Sequence, residues 1–489
     1  MTRRAPAFLL GLAALSRAAA GLWLGFRPFD DTYITFRYSL NLASGHGFVY
    51  NLGEHVLGTT TPLWAMVLAV CAAFGARIEH AALVISLACD VGSAFFLFRL
   101  LTALGFGTGI PLAGACLFLG IFDYFSLARS GMESSFFVFL VVGALDLMAE
   151  RRLLAASVLA ALAALTRPEG ALVVMLFAAA LWLYRAGLRP RDAAIAVTAL
   201  ATIGGGWALY AIVKFGSVVP QSIRAKSAAF ADPALAAFSW SNVRLFFMSG
   251  QYGGEIYTRT YLQLTPVFSV LAALGAAWLV VGMIRSQSPQ PVLRGMMLLF
   301  FPAAYLAGMS LSHAFTFFPW YYAPLYPFLA ALVPIGTGAA TQWRSAWVLG
   351  VTGTLVAAQL FAAAVVKLPA DSTAWVDGYF EVSNSVARDP AVRVAAPEIG
   401  VIGWRVWPST ILDLEGLVTP EAVGVKPGEF FRLKRPEYLV VRTDNAAELL
   451  RNLQSDDDDW FARTYEIAAV HRDPAGGREF RMYKKKGEE

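Results

Sequence analysis

Apolar residues in this chain come in long unbroken runs, and the polar positions are gathered between them instead of alternating with them. Runs long enough to approach a membrane crossing occupy 6–26, 81–101, 109–127, 134–149, 153–165, 171–184, 193–213, 261–283, 295–311, 320–334 and 346–366. They predict about eleven transmembrane helices, several shorter than the roughly 20 residues of a full crossing. A further run, PLWAMVLAVCAAFG at 62–75, is only about 14 residues long and reads as interfacial or re-entrant. Past residue 370 the texture changes: RVAAPEIGVIG, TILDLEGLV, PEYLVVRT, YEIAAVHR and FRMYKK read as short β-strands, with AAELLRNLQ as a helix among them. The predicted architecture is a polytopic α-helical membrane domain over 1–369, with outer loops at 26–61 and 214–260, followed by a small soluble α/β domain over 370–489.

Composition strengthens the membrane assignment. Of the 489 residues 57% are hydrophobic and 15% charged, and the mean hydropathy is +0.56, well outside the range of soluble domains. The start, MTRRAPAFLLGLAALSRAAAGLWLGF, imitates a secretory signal, but removal near Ala20 would leave the following loop without an anchor, so an uncleaved first helix is expected. If 62–75 does not cross, the basic loops at Glu150-Arg151-Arg152, 185–191, 285–294 and Arg344 all fall on the cytoplasmic side with Arg3 and Arg4, as the positive-inside rule requires. The outer face then carries 26–61, the turns ARSGMES and TRPEG, 214–260, SHAFTFF and the tail. Arg37, Arg129, Arg167, Arg224, Lys226 and Arg244 break the charge bias there, which points to an anionic ligand. The net charge of +5 comes from scattered arginines without a dense basic run, so membrane lipids are expected partners and nucleic acid is not. Cys71, Cys89 and Cys116 each sit within an apolar run and suit neither a disulfide framework nor a zinc site.

The candidate chemistry lies in the outer loops. FDDTYITFRYSLNLASGHGFVYN places adjacent acids, Asp30 and Asp31, at the head of a short amphipathic helix marked by Ile34, Tyr38 and Leu42. One aspartate suffices to cap that helix; the second is unexplained by capping, so catalysis or ligand binding stands beside the capping role. Glu133 in SGMES and Arg167-Pro168-Glu169 sit at helix ends, where they serve either as caps and interfacial residues or as site residues. His313 and the aromatics Phe317, Phe318, Trp320, Tyr321 and Tyr322 fit an interfacial girdle or the wall of a lipid or sugar groove. The acidic run 456–459 lacks the alternation and glycine of a calcium loop. No Walker-type phosphate loop, HExxH helix or GxSxG elbow is present, which argues against nucleotide hydrolysis and metalloprotease chemistry. Charges deep in the apolar runs are few, chiefly Arg17 and Asp90, which weighs against an ion-coupled transporter.

FDDTYITFRYSLNLASGHGFVYNLGEHVLGTTTPLW resembles the first outer loop of bacterial terminal arabinofuranosyltransferases, with its acidic pair, aromatic-rich helix, GHG, glycine-glutamate turn and TPLW. SGMES and TRPEG are similar to the signatures SG-x-E and RP-[DE]-G. These belong to the GT-C superfamily of membrane glycosyltransferases, which also includes protein O-mannosyltransferase-like proteins. The resemblance implies a GT-C fold in a bacterial cytoplasmic membrane, with the active site and tail on the outer, periplasmic face. It implies an inverting transfer of one sugar from a polyprenyl-phosphate donor to a glycan, lipid or protein acceptor of the cell envelope. Asp30 would be the general base and Asp31 a supporting acid or cation ligand. Arg224 or Lys226 would hold the donor phosphate, with Arg167 a further candidate, and Glu133, His313 and Glu169 would orient the acceptor or bind a divalent cation. No cofactor is firmly implied, and metal use is open. SHAFTFFPWYYAPLYP departs from the glycine-aspartate pattern of the arabinofuranosyltransferases, so the resemblance does not carry the sugar over. APEIGVIG and LDLEGLV resemble tail segments of other GT-C proteins and bring Glu398 and Glu415 into consideration. The rival reading is a transporter or flippase of lipid-linked saccharides without an essential base; a non-catalytic glycolipid binder is a third.

Overall fold

A computed structural model of the chain describes residues 4–229, 265–286, 288–311, 319–342, 344–365, 374–454, 459–473 and 477–487. His313, Phe317, Phe318, Arg244 and most of the 214–260 loop lie outside the described residues.

Seven described helices are long and apolar enough to cross a membrane: Pro6–Leu24, Ile78–Ala103, Pro168–Gly187, Pro190–Phe215, Val267–Arg285, Gln290–Ser310 and Ala323–Ala340. Shorter apolar helices occupy Pro62–Ala73, Gly109–Gly120, Ser134–Ala149, Leu153–Thr166 and Ser345–Ala358. Each of the predicted crossing runs falls on one of these helices, and the chain is a multi-pass membrane protein. Pro62–Ala73, with 12 residues, rises only about 18 Å at 1.5 Å per residue, short of a hydrocarbon core of about 30 Å.

The chain forms two compact units. The first comprises Met1–Phe26, Ala82–Leu209 and Asp232–Leu368; the second Arg27–Ala81, Tyr210–Ala231 and Pro369–Glu489. The first unit is helical. Its helices Thr265–Arg285 and Tyr326–Ala340 meet where Gly275 faces the Leu332 carbonyl and Gly336 the Leu271 carbonyl, an approach that any side chain at either glycine would block. The deep charges cancel one another: Arg17 donates from Nε to Asp90 Oδ2 at 2.9 Å and from Nη1 to the Leu119 carbonyl at 3.2 Å, with both side chains buried. An ion pair of this kind pins the otherwise lipid-like first helix to Ile78–Ala103.

The second unit joins the segment after the first helix to the tail. The tail folds as a five-stranded sheet in the order β2-β1-β3-β5-β4, with β1 Arg393–Ala396, β2 Thr410–Asp413, β3 Tyr438–Arg442, β4 Tyr465–Arg472 and β5 Glu479–Lys485. Strands β2, β1 and β3 run parallel, and β5 and β4 close the sheet antiparallel. The central strand β3 reads YLVVR and is buried along most of its length, as a strand covered on both faces must be. On one face Leu439 and Val441 pack with Phe430, Phe431, Leu449, Leu453, Phe461 and Tyr483. Leu449, Leu450 and Leu453 form the buried stripe of Ala447–Gln454, the helix expected from AAELLRNLQ. Two expected strands are cut short: in TILDLEGLV only Thr410–Asp413 is strand, and in RVAAPEIGVIG only Arg393–Ala396, with Gly400–Arg405 a short helix. That turn from strand to helix builds the site.

Candidate functional site

The helix Asp30–Ala43 begins with the aspartate pair, but neither aspartate caps it. Phe29 holds the cap position, and the Phe29 N–H donates to Thr32 Oγ1 at 3.3 Å. The Asp30 carboxylate instead accepts N–H groups from the tail, Gly400 to Oδ2 at 2.9 Å and Val401 to Oδ1 at 2.7 Å. The expectation that an aspartate caps its own helix is therefore not met: Asp30 instead satisfies free amides that open Gly400–Arg405, 370 residues along the chain. A Cβ at Gly400 would overlap the Asp30 carbonyl, so only glycine allows this approach.

The helix is gripped at two further residues, Arg37 and Asn41, and the loop after it at Tyr50 and Asn51. The Arg37 guanidinium is fully buried and donates to the carbonyls of Tyr50 at 2.8 Å, Gly403 at 2.5 Å and Ser409 at 2.6 Å, and to Asn51 Oδ1 at 3.2 Å. Tyr50 donates its hydroxyl to the Ile399 carbonyl at 2.7 Å, Asn51 exchanges hydrogen bonds with the backbone of Ile411, and Trp407 Nε1 donates to Asn41 Oδ1 at 2.9 Å. Arg37 was expected on the sequence to attract an anionic ligand; its donors are instead spent on this framework.

Burial, followed by the charge of Glu398, pushes the Asp30 carboxyl up from the ordinary 3.8 to about 8; Asp31 adds to the push, and the Val401 and Gly400 N–H groups pull against it. Asp30 is 8% exposed. Asp31 is partly exposed and makes no hydrogen bond or ion pair with the described residues. Amide-bound carboxyls also occur in purely architectural places. Asp413, pushed up to about 7 by burial, folds over the N–H groups of Glu415 and Val418 at 2.8 and 2.9 Å and shapes the LDLEGLV turn. Each has acidic company, Glu415 for Asp413 and Glu398 with Asp31 for Asp30; Asp30 differs in having an adjacent carboxylate, Asp31, that makes no bond among the described residues.

Glu398 accepts a hydrogen bond from the Tyr379 hydroxyl and pairs with Arg442 at 3.5 Å; Arg442 in turn holds Asp444 at 2.8 Å. Burial raises the Glu398 carboxyl despite Arg442 and Tyr379.

The phosphate candidates fall in both units. Arg224 and Lys226 lie on Gln221–Ala229, which is tied to the first loop by Gln221 N–H to the Leu57 carbonyl at 2.7 Å and to the tail by Gln221 Nε2 to the Gly416 carbonyl at 3.2 Å. Arg224 is exposed, and among the described residues its side chain gives one bond, Nη2 to Ser217 Oγ at 2.7 Å. In the first unit, Arg167 is 5% exposed and spends its guanidinium on two carboxylates: Nη1 to Glu133 at 2.9 Å and Nη2 to Glu169 at 3.0 Å. The SGMES and TRPEG turns are thus one buried ion cluster, lined by the Tyr321 and Phe137 rings. Gly400, Tyr379 and Arg442 carry no site signal in the sequence, because each acts through a partner in another element.

Over 99% of its length the chain matches the apo structure of ArnT from Cupriavidus metallidurans, covering 98% of that chain at a TM-score of 0.59 and 15% identity. It matches the oligosaccharyltransferase of Archaeoglobus fulgidus over 98% of its length and 74% of that chain, at a TM-score of 0.59 and 12% identity. The chain has the GT-C fold. A mycobacterial arabinofuranosyltransferase, AftD, matches at a TM-score of 0.51 and 15% identity, with all of this chain covering 42% of that one. ArnT has been solved bound to undecaprenyl phosphate, and the archaeal enzyme with an inhibitory peptide and a dolichol-phosphate. Residues 374–483 match a domain of unknown function, DUF8728. No curated protein matches the chain in sequence.

Proposed function

We propose that this protein is an inverting glycosyltransferase of the bacterial cytoplasmic membrane, moving one sugar from a polyprenyl phosphate to a cell-envelope glycan, lipid or protein on the periplasmic face. The observation that carries this reading is the aspartate pair: one carboxyl is held by two amides and poised near neutrality, and its neighbour is open. The lipid phosphates carried by ArnT and the archaeal enzyme support the donor class.

The chemistry asks little of the protein beyond a base and a place for the leaving phosphate. Asp30 takes the proton of the acceptor hydroxyl, whose oxygen forms the new bond at the anomeric carbon as the bond to the phosphate oxygen breaks. The polyprenyl phosphate leaves with the bonding pair. A base whose proton affinity lies near the working pH is the effective kind, contributing about a hundredfold to ten-thousandfold. A specific observation favours a second assignment within the same mechanism: Asp31 is the more exposed carboxylate, and it would be the base with Asp30 fixing its position.

Arg224, exposed and with one side-chain bond among the described residues, is assigned to the leaving phosphate together with Lys226. Arg167 is saturated by Glu133 and Glu169, so its part is to hold those two acids in place. Among the described residues, which leave out His313, no group of three or more His, Cys, Asp or Glu side chains is arranged to hold a metal ion.

Arg224→Ala is expected to raise the donor KM about tenfold or more, the worth of one charge-assisted hydrogen bond of about 1.5–3 kcal/mol. Steady-state kinetics at low donor check this, and unchanged turnover there removes Arg224 from the site. The reading as a whole is tested by incubating the purified protein with a panel of polyprenyl-phosphate sugars and membrane acceptors. Transfer of one sugar is expected. Donor binding or movement across vesicles without transfer would support the flippase instead.

A further inference from the structure

The helix that carries Arg224 and Lys226, Gln221–Ala229, is held at its first residue by two other segments of the second unit. The Gln221 N–H donates to the Leu57 carbonyl of the first loop at 2.7 Å, and its side-chain Nε2 donates to the Gly416 carbonyl of the tail at 3.2 Å. Both acceptors are themselves fixed. On either side of Leu57, the Tyr38 hydroxyl donates to the Val56 carbonyl at 2.6 Å and accepts the Gly58 N–H at 2.8 Å, and Tyr38 belongs to Asp30–Ala43, the helix of the aspartate pair. Gly416 has a φ of +81°, a conformation that suits glycine, in the turn that the Asp413 carboxylate closes over the Glu415 and Val418 amides. The first loop and this turn meet directly, since a Cβ at Gly58 would overlap Val418 and the Leu417 carbonyl.

We propose that Gln221 is a positioning residue for the lipid donor: by holding its helix to the first loop and to the LDLEGLV turn at once, it fixes where Arg224 meets the leaving phosphate. The inference rests on the reading of Arg224 as a phosphate ligand. Arg224 follows Gln221 by three residues, which makes the two side chains neighbours on the helix surface. Ser222 and Ala225 form the buried side of that helix, Arg224 is exposed, and Gln221 stands between the two sides, partly buried. The tip of Arg224 is oriented from the preceding turn, where Ser217 Oγ accepts both Arg224 Nη2 at 2.7 Å and the Val219 N–H at 3.0 Å. The backbone bond to Leu57 alone leaves the helix free to turn about it. A turn of about 20° at a side-chain radius of about 5–6 Å carries a tip by about 2 Å, more than a hydrogen bond to phosphate tolerates. The second bond, to Gly416 on another segment, prevents that turn. Gln221 touches no phosphate in this arrangement and acts through Arg224, so the tail takes part in donor affinity by way of one backbone carbonyl.

The test reads binding and needs no sugar transfer. Full-length protein in detergent is titrated with undecaprenyl phosphate and, as the uncharged control, with undecaprenol. Gln221→Leu and Gln221→Met, which keep most of the volume and remove the donor, should each weaken binding of the phosphate lipid about three- to tenfold and leave binding of the alcohol unchanged. Added to Arg224→Ala, Gln221→Leu should cost about twofold at most, because a residue that acts through Arg224 has nothing left to position. Hydrogen exchange on the same proteins should quicken within 221–229 and stay as in wild type in β1 to β5. Unchanged binding of the phosphate lipid in both Gln221 variants, or a full further loss on top of Arg224→Ala, overturns the proposal while a weakened Arg224→Ala keeps the phosphate reading. If Arg224→Ala itself binds the phosphate lipid as wild type does, the phosphate reading falls and the proposal falls with it. Equal loss for phosphate and alcohol, or exchange that quickens throughout β1 to β5, would make Gln221 a residue of the fold alone and also overturns it.

Discussion

Asp30→Asn should lower turnover about a hundredfold to ten-thousandfold with donor affinity retained. The asparagine keeps the volume and one acceptor oxygen, so the Val401 or Gly400 amide still has a partner, while the proton acceptor of the reaction is gone. The wild-type profile carries the matching signature. Asp30 works only when ionised and its carboxyl is raised to about 8, so kcat/KM should climb with pH below that value and level off above it. An ordinary aspartate would already be flat from pH 5 upward. The same raised carboxyl bears on stability with a definite sign. The folded protein keeps the Asp30 proton to about 8 and the unfolded chain only to about 3.8, so this contribution is complete at acid pH and is lost as pH rises through 8. Measuring kcat, KM and thermal unfolding of both proteins over this range checks the three effects together. A profile that Asp30→Asn leaves unaltered transfers the base role to Asp31, where the same substitution should then be the damaging one.

Arg37→Met should release the first loop from the tail, at a cost of about 3 kcal/mol or more. The buried guanidinium satisfies three backbone carbonyls and the Asn51 oxygen at once, and it lies over the Tyr50 ring at 4.6 Å. A thioether of similar length fills the space and satisfies none of those acceptors, each of which then costs about 1–3 kcal/mol to bury, less than additively. Lysine keeps the charge but has one nitrogen where the site needs a planar fork, so Arg37→Lys should recover only part of the loss. Limited proteolysis within 44–61 and within the tail, followed with time, reports the release. Wild-type protease resistance in Arg37→Met would mean that the carbonyls find other donors.

The membrane architecture was legible because lipid demands long apolar runs, and these are written locally in the sequence. The tail's strands were legible for a similar reason: YLVV and EFRMYK carry their burial in their residues. The ends of elements were less so. GVIG reads as strand by composition, yet it forms a helix whose amides are satisfied by Asp30. Nothing near Gly400 announces that partner, and nothing near Asp30 announces the glycine. In the first unit, SGMES and TRPEG were each recognisable as turns with an acid or a base, but their union through Arg167 and Glu133, 34 residues apart, depends on how Ser134–Ala149 packs against Leu153–Thr166. The surplus aspartate was the most useful local sign. Two adjacent acids are more than a helix start requires: Asp30 is held by the tail amides, and Asp31 beside it makes no bond among the described residues.

The central claim is direct displacement at the anomeric carbon with a single carboxylate base, and the configuration of the product tests it most directly. A polyprenyl-phosphate sugar of defined anomeric configuration is turned over to completion, and the new glycosidic bond is read by the one-bond carbon–hydrogen coupling at its anomeric carbon. The account predicts inversion relative to the donor. Retention would require two displacements and a covalent or ion-paired intermediate, and would contradict it.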